Sequence, residues 1–314
     1  MPGIPPSRYA YLGPEGTFTE TALRQLPAAA RADLLPFSSV EMALDAVRSG
    51  DADGAMVPIE NSIEGGVSAT IDALATGEPL VVVRESLVPI SFVLAARPGT
   101  TLDDVKRVST HPHAQAQCRG WMGLHLPDAA YVPALSTAAA AAGLSVGTDV
   151  GYDAALCAPI AAERYRLRVL ADDVADNPSA VTRFVLVARP GVPPTPTGAD
   201  KTSIVAFQPD DHPGGLLELL EQFAVRGVNL VRIESRPTGD AMGRYCFAID
   251  AEGHIAEARM AEALVGLHRF CPQVRFLGSY PSAEAPPTAV RPGTSDASFA
   301  DGRAWVDRLR EGRL

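Results

Sequence analysis

Residues 177–187 read Asn-Pro-Ser-Ala-Val-Thr-Arg-Phe-Val-Leu-Val, and this stretch decides the fold prediction because it sets polar side chains at the mouth of an apolar strand. Pro178 ends the element that precedes it, and the apolar run 184–187 favours a short β-strand. Thr182 is therefore either a β-branched residue that enters a strand or a hydroxyl with a chemical task. The rest of the chain has to decide between these two interpretations.

Upstream of this strand, short apolar runs alternate with alanine-rich helical stretches. The predicted strands are 9–12, 54–58, 80–83, 90–95, 108–110 and 184–188. The predicted helices are 19–26, 40–49, 115–122, 137–143 and 152–165. Strands and helices in alternation predict an α/β architecture with largely parallel sheets.

Downstream, a linker separates this region from a second pattern. Residues 189–198 contain four prolines and two glycines, a composition that cannot hold a helix or a central strand. Beyond them, the predicted elements are strands at 201–208, 230–236, 244–250 and 274–280 and helices at 215–226 and 256–269. Their order, βαββαβ, is the ferredoxin-like plan. Residues 282–298 are expected to be disordered, and residues 299–313 are compatible with a short helix, docked or frayed.

The composition limits the partners and the location that the chain can have. With 314 residues, of which 46% are hydrophobic, the chain is long enough for two or three domains. A formal net charge of −10 argues against nucleic acid and anionic membranes as partners. The four cysteines form no CxxC pair and predict buried thiols rather than a zinc site or a disulfide framework. The first residues do not resemble a signal peptide and no run is apolar enough to span a bilayer, so we expect a cytoplasmic protein.

Polar residues follow predicted strands at two further places. Glu60, Asn61 and Ser62 come directly after an apolar run, where open α/β sheets form their ligand crevices. The alternative is a local turn in which Asn61 and Ser62 bond the backbone. Thr110 ends another strand and Gln117 lies in the helix predicted after it, so both are expected to face a ligand at a helix N-terminus.

Five motifs together resemble the prephenate dehydratase family. In the family's order they are Tyr-Leu-Gly-Pro-Glu-Gly-Thr-Phe-Thr at 11–19, Val-Pro-Ile-Glu-Asn-Ser at 57–62, Thr-His-Pro at 110–112 with Gln117, Thr-Arg-Phe at 182–184 preceded by Tyr165, Leu167, Leu170 and Asp176, and Ile-Glu-Ser-Arg-Pro at 233–237. The resemblance implies a two-lobed, periplasmic-binding-protein-like catalytic domain at 1–190, whose second lobe is about 88–170. It further implies an ACT regulatory domain at 201–281, while the composition predicts a linker at 191–200 and a flexible tail with a possible short helix at 282–314.

The resemblance also implies an activity, the decarboxylative dehydration of prephenate to phenylpyruvate in L-phenylalanine biosynthesis. This carbon-oxygen lyase reaction needs no metal, hydride or nucleophile, and we expect no cofactor. Thr182 would donate a proton or a hydrogen bond to the leaving hydroxyl. The other residues implied in catalysis are Glu60, Asn61, Gln117 and Thr110, and those implied in substrate binding are Arg183, Ser62, Gly13, Gly65 and Gly66. Arg183 would clamp a carboxylate or, alternatively, form a salt bridge that stiffens its strand.

For the C-terminal domain, the resemblance implies regulation by L-phenylalanine and assembly into a homodimer or homotetramer. The residues implied in effector binding are Gly214, Gly215, Leu216, Asn229, Glu234, Ser235 and Arg236. Glycine amides at a helix start suit a carboxylate, and Glu234 suits an ammonium. A turn into a helix and a salt bridge between Glu234 and Arg236 are the structural alternatives. Two other functions remain open, an arogenate dehydratase and a noncatalytic amino-acid-sensing protein.

Overall fold

Three β-sheets organise the residues that the computed structural model describes, which are 7–147, 150–208, 212–238, 244–283 and 289–313. The strands are β1 (Arg8–Leu12), β2 (Asp33–Phe37), β3 (Gly54–Asn61), β4 (Gly65–Gly66), β5 (Val81–Pro89), β6 (Val93–Ala96), β7 (Arg107–Thr110), β8 (Ala130–Pro133), β9 (Ala154–Cys157), β10 (Arg168–Ala171), β11 (Val181–Ala188), β12 (Asp200–Phe207), β13 (Leu230–Pro237), β14 (Tyr245–Glu252) and β15 (Gln273–Pro281). The α-helices are α1 (Phe18–Arg24), α2 (Val40–Ser49), α3 (Ser68–Ala75), α4 (Pro112–Gln117), α5 (Arg119–His125), α6 (Thr137–Val146), α7 (Pro159–Arg164), α8 (Gly215–Ala224), α9 (Ala258–Phe270) and α10 (Asp296–Arg310).

The first sheet has the strand order β2-β1-β3-β11-β5, and β4 pairs with β3 outside this order. β1 runs parallel to both of its neighbours. The helix α2 forms where predicted because its two ends are capped. The Ser39 hydroxyl accepts a hydrogen bond from the Met42 amide, and Gly50 ends the helix at a φ of 86°, a conformation that glycine adopts without steric cost.

The second sheet has the strand order β10-β6-β9-β7-β8. β7 is parallel to β8 and β9, whereas β6 is antiparallel to β9 and β10. The prediction of largely parallel sheets is therefore too simple for this sheet, because alternating strands and helices do not specify how strands distant in sequence pair. The two sheets confirm the predicted α/β, two-lobed architecture.

Two predicted helices are wrong in their bounds. The segment 152–165 contains the strand β9, and α7 begins only at Pro159. All residues of β9 are buried, and a strand buried on both faces has the same continuous apolar run as a buried helix. The predicted helix 115–122 begins earlier, at Pro112, and breaks at Cys118 between α4 and α5. The elements β2, β4, β8, β10 and α3 are absent from the prediction.

The third sheet has the order β13-β14-β12-β15 with antiparallel neighbours. The helices α8 and α9 contribute Leu219, Phe223 and Met260 to the core on this sheet. The predicted βαββαβ order is confirmed. The helix α10 covers much of the predicted tail helix, whereas part of the segment expected to be disordered, 284–288, lies outside the described residues.

Two compact units divide the chain. The first comprises Met1–Thr70 and Ser86–Leu186, and the second comprises Ile71–Glu85 and Val187–Leu314. Most of α3 and the first half of β5 therefore group with the C-terminal residues. None of the helices within the described ranges has the length and apolar character to cross a membrane. The four cysteines are free and buried, which confirms their prediction as buried thiols.

Candidate active site

A cavity of about 360 Å³ lies within the first unit, between its two sheets. Its walls come from the carboxyl ends of strands and from the helix starts that follow them, as expected for an open α/β sheet. The first sheet contributes residues after β1, β3 and in β11, and the second contributes residues after β7 and β8. Four predicted site residues line this cavity, namely Gly13, Asn61, Gln117 and Thr182.

Thr182 and Asn61 are joined by a hydrogen bond across the first sheet. The Asn61 Nδ2 atom donates to Thr182 Oγ1 at 2.8 Å. The orientation of the Asn61 amide is fixed, because its Oδ1 atom accepts from the backbone N–H groups of Ile63 at 2.8 Å and Glu64 at 3.2 Å. Since an incoming donor occupies the Thr182 oxygen, the hydroxyl proton of Thr182 is left to donate into the cavity.

Glu60 and Arg183 pair with each other instead of facing the cavity. Arg183 Nη1 lies 3.4 Å from Glu60 Oε2, and the Arg183 side chain is buried. Neither of these two described residues lines the cavity. The geometry corresponds to the alternative interpretation of Arg183, a salt bridge that stiffens the strand, and a substrate contact by Glu60 stays a prediction. A buried guanidinium that lost this carboxylate would be costly, so the pair is structural support for Thr182.

Ser62, Gly65 and Gly66 form the hairpin that carries Asn61. The Ser62 amide donates to Val181 O at 2.9 Å, and Ser62 Oγ accepts from Val181 N at 3.0 Å. Gly65 and Gly66 pair with Asn61 and Glu60 as strand β4. These three residues bond the backbone and do not line the cavity, which matches the turn interpretation of this motif.

Thr110 does not face the cavity. It is fully buried, and its Oγ1 atom donates to Leu156 O at 2.8 Å. The expectation that Thr110 binds a ligand is corrected, because the hydroxyl joins β7 to its neighbour β9 within the second sheet. Its chain neighbour His111 lines the cavity in its place.

Glu64, His113 and Gln117 form a cluster in the cavity wall. Glu64 Oε2 lies 2.7 Å from His113 Nδ1, and Glu64 Oε1 accepts from Gln117 Nε2 at 3.3 Å. The Oε1 atom of Gln117 is buried and has no hydrogen-bond partner among the described residues. Gln117 therefore keeps one acceptor that a ligand hydroxyl can satisfy.

His111 supports His113 from the start of α4. The His113 amide donates to His111 Nδ1 at 3.3 Å, and the two rings meet edge to face with centroids 4.9 Å apart. Burial lowers the pKa of His111, with a further lowering from His113, while Glu64 acts in the opposite direction. The His111 imidazole is therefore neutral near pH 7.

Residues 13–17 form the turn from β1 into α1. A Cβ atom on residue 13 would lie 2.8 Å from Pro36 Cβ, so only glycine fits there. The Thr17 side chain caps α1 by accepting from Glu20 N at 3.4 Å, and the buried Glu20 carboxylate accepts from Gly16 N at 2.6 Å. These bonds hold the turn against the cavity.

Several lining residues escaped the sequence prediction. Ser136 and Thr137 lie at the start of α6, where the Ser136 hydroxyl caps the helix by accepting from Ala139 N at 2.9 Å. A serine directly before an alanine-rich run is an N-cap signal that could have placed them at the end of β8. Apolar side chains of Ile90, Phe92 and Phe184 form another part of the wall, and they suit a carbocyclic ring.

The residues implied in effector binding lie in the second unit. Gly214 precedes α8 at a φ of 95°, but the Gly215 amide donates to His212 O at 3.1 Å, so it is not open as predicted. Leu216 is 40% exposed, and Asn229 O accepts from Glu252 N at 2.9 Å.

Glu234, Ser235 and Arg236 follow one another in β13, the edge strand of the third sheet. Glu234 pairs with Arg232 at 3.2 Å. The suggested salt bridge between Glu234 and Arg236 is wrong, because Glu234 pairs with Arg232 on its other side and Arg236 binds Asp72 at 2.7 Å.

Comparisons with known proteins agree on one family. The family model "Prephenate dehydratase" matches residues 9–191. A prephenate dehydratase from Mycolicibacterium vanbaalenii is 50% identical over 327 residues, which cover 100% of both chains, and one from Amycolatopsis methanolica is 48% identical over 98% of this chain and 99% of its own. A solved structure of prephenate dehydratase from Arthrobacter aurescens in complex with L-Phe has a TM-score of 0.93 and 59% identity, and it covers 97% of this chain and 99% of its own.

Proposed function

Because this chain belongs to the prephenate dehydratase family, we propose that the cavity around Thr182 is where it converts prephenate to phenylpyruvate in L-phenylalanine biosynthesis. One observation supports this site most directly. The Asn61 amide occupies the Thr182 oxygen at 2.8 Å and so turns the Thr182 hydroxyl into a donor aimed at a ligand. The leaving group of prephenate is a hydroxyl, which needs such a donor.

The reaction breaks two bonds of the ring and makes it aromatic. The bond to the ring carboxylate breaks and releases carbon dioxide, and its electron pair becomes part of the new aromatic system. The carbon–oxygen bond at the opposite ring carbon breaks, and the hydroxyl leaves as water after it gains a proton. A threonine hydroxyl is a weak acid by itself, so its hydrogen bond acts mainly by stabilising the charge that develops on the leaving oxygen.

The other cavity residues bind and orient the substrate in this proposal. The free acceptor of Gln117 and the hydroxyls of Ser136 and Thr137 face polar groups of the substrate. Phe92 and Phe184 bound the ring and exclude water, which strengthens the hydrogen bond from Thr182. Glu60 and Arg183 hold the strand that carries Thr182.

The assay that tests this proposal follows phenylpyruvate formation from prephenate by the purified full-length protein. Turnover that disappears when Thr182 is replaced by valine supports the assignment. A protein that binds amino acids but forms no phenylpyruvate would instead be a noncatalytic sensor, and the proposed site would be wrong.

For regulation, we propose that the βαββαβ unit is an ACT domain that binds L-phenylalanine. The support is the bound L-Phe in the Arthrobacter aurescens relative together with the motif at 233–237 in this chain. Gly214, Leu216, Asn229, Glu234 and Ser235 are the proposed contacts. Calorimetry with L-phenylalanine should give weaker binding for Glu234→Ala and Ser235→Ala than for the wild-type protein.

Assembly and location complete the proposal. The edge strand β13 leaves Val231 and Ile233 more than 40% exposed, and such an edge suits pairing with a second copy. We propose a homodimer or homotetramer, which light scattering of the purified protein tests. The four free, buried cysteines suit the reducing cytoplasm, where we place the protein.

A further inference from the structure

The Glu64 carboxylate stands in the wall of the active-site cavity with both oxygens engaged. One oxygen lies 2.7 Å from His113 Nδ1 and the other 3.3 Å from Gln117 Nε2. Glu64 reaches this position from the turn after β3, which Asn61 holds through the Glu64 amide at 3.2 Å. His113 and Gln117 come from α4, so the contacts join parts of the chain that are far apart in sequence.

The charge of this carboxylate is well placed to attract or repel charged groups of a ligand. Among the described residues that line the cavity, Glu64 is the one with a carboxylate side chain. No lysine or arginine is found among these lining residues. Two unit charges a few ångströms apart interact several times more strongly near a protein surface than in water, because the effective dielectric constant is lower there. An uncovered Glu64 would therefore attract a cationic group on the ligand and repel its carboxylates.

Prephenate and arogenate differ in the group that such a charge would detect. Prephenate has a ketone beside its side-chain carboxylate, and arogenate has an ammonium at the same carbon. An ionised carboxylate has about four lone-pair sites, and an N–H on each oxygen fills one site there, so the covered carboxylate offers less to an ammonium than the uncovered one. The same carboxylate without its donors would favour arogenate.

We propose that His113 determines substrate specificity by covering the Glu64 carboxylate, so that the site accepts the keto acid and discriminates against the amino acid. The proposal rests on the proposed function of the cavity. His113 acts through Glu64 as a positioning residue, and Gln117 and the ring of His111 hold the pair in place. Replacing His113 must therefore change the ratio of kcat/KM for arogenate to kcat/KM for prephenate, and the change must depend on Glu64.

The experiment compares kcat/KM for prephenate and arogenate in the full-length protein. His113→Ala uncovers Glu64 and should raise the arogenate-to-prephenate ratio about tenfold, chiefly through a higher KM for prephenate. Glu64→Gln alone should leave the ratio within about twofold, because the carboxylate is already covered. The double variant should have the ratio of Glu64→Gln. His113→Gln keeps an N–H donor and should return the ratio to within about threefold of the wild type.

His125→Asn is the matched control, because His125 stacks on Trp121 in α5 and does not line the cavity. It should leave the ratio unchanged. The proposal is overturned if His113→Ala has the wild-type ratio, or if the double variant keeps the tenfold shift. If His113→Ala does not fold, Glu64→Gln tests the proposal alone. A tenfold or larger fall in its arogenate-to-prephenate ratio of kcat/KM overturns the proposal, because Glu64 would then already attract the ammonium in the wild-type protein. Wild-type protein that makes no phenylpyruvate from prephenate contradicts the proposed function instead.

Discussion

Single side chains in and near the cavity have roles that their residue types alone do not reveal. Thr110 and Thr182 are both buried threonines at strand ends, yet Thr110 donates to Leu156 O at 2.8 Å while Thr182 accepts from Asn61 at 2.8 Å. The Thr110 hydroxyl already donates its proton to the backbone, whereas the Thr182 hydroxyl still has a proton to donate. The partner, not the residue type, makes Thr182 the catalytic candidate.

We expect Thr182→Val to lower kcat by roughly 10² to 10⁴ fold, the range typical of a lost proton donor. Asn61→Asp should cause a loss of similar size, because a carboxylate would accept the Thr182 proton and turn it away from the substrate. Steady-state kinetics on prephenate measures both effects. Thr76→Val, at an exposed threonine that does not line the cavity, is the matched control. Near-normal kcat in a folded Asn61→Asp protein would show that the hydrogen bond does not orient Thr182.

The cysteines permit a separate test of the packing. Burial, with a smaller contribution from Asp176, raises the pKa of Cys118 to about 12, and burial raises that of Cys157 to about 12. Thiolate is the reactive form, so at pH 8 these thiols should be unreactive. A thiol reagent should label none of the four cysteines within minutes in native protein and all four in guanidinium chloride. Rapid native labelling of Cys118 would mean that the core around α4 and α5 opens easily.

At the level of elements, α3 has residues in both compact units. Thr70 Oγ1 on this helix donates to Pro58 O at 2.5 Å, two residues before Glu60. Two residues further along the helix, Asp72 accepts from Arg236 Nε at 2.9 Å and Nη2 at 2.7 Å within the second unit. Arg236 directly follows the proposed effector residues Glu234 and Ser235. We therefore expect effector bound at β13 to act on Asp72 through Arg236.

We expect Asp72→Asn to weaken inhibition by L-phenylalanine at least about threefold while uninhibited kcat stays near the wild-type value. The bidentate pair with Arg236 would be lost, and with it the link to α3. Inhibition curves with prephenate as substrate measure this. Asp45→Asn disrupts a surface pair with Arg48 on α2 and should not alter inhibition. Unchanged inhibition in Asp72→Asn would mean that regulation travels by another route.

At the scale of the whole molecule, the boundary between the two compact units does not coincide with the predicted linker, because a segment before the linker belongs to the second unit. Glu85 belongs to the second unit, and its fully buried carboxylate accepts from Lys201 Nζ at 2.9 Å and from Ala283 N at 2.7 Å. These donors come from beyond the predicted linker. A chain cut at residue 190 keeps the carboxylate and loses both donors.

We therefore expect residues 1–190 to retain some dehydratase activity without sensitivity to L-phenylalanine, but at a markedly lower melting temperature. Removing one partner of a buried ion pair costs about 3 to 5 kcal/mol. Glu85→Gln should raise the melting temperature of the truncated chain, because a neutral amide is cheaper to leave without its partner, and should not raise that of the full chain. A truncated protein as stable as the full chain would show that Glu85 finds other partners.

The sequence alone determined features that depend on local chemistry. The bounds of α2 follow from Ser39 and Gly50, because capping involves residues within one helical turn. The family, and with it the activity, follows from motifs such as Thr-Arg-Phe at 182–184 and Glu-Asn-Ser at 60–62, whose order along the chain can be read directly. The βαββαβ order follows in the same way from strand and helix periodicity.

Only the tertiary structure decided which polar groups meet. Strand β9 was predicted as helix because a strand buried on both faces has no alternating pattern, and its burial depends on neighbours from elsewhere in the chain. The pairs Thr182 with Asn61, Glu64 with His113 and Glu85 with Lys201 likewise join residues far apart in sequence. Hydrogen bonds act over about 3 Å, so which side chains they join is set by strand order and packing rather than by position along the chain.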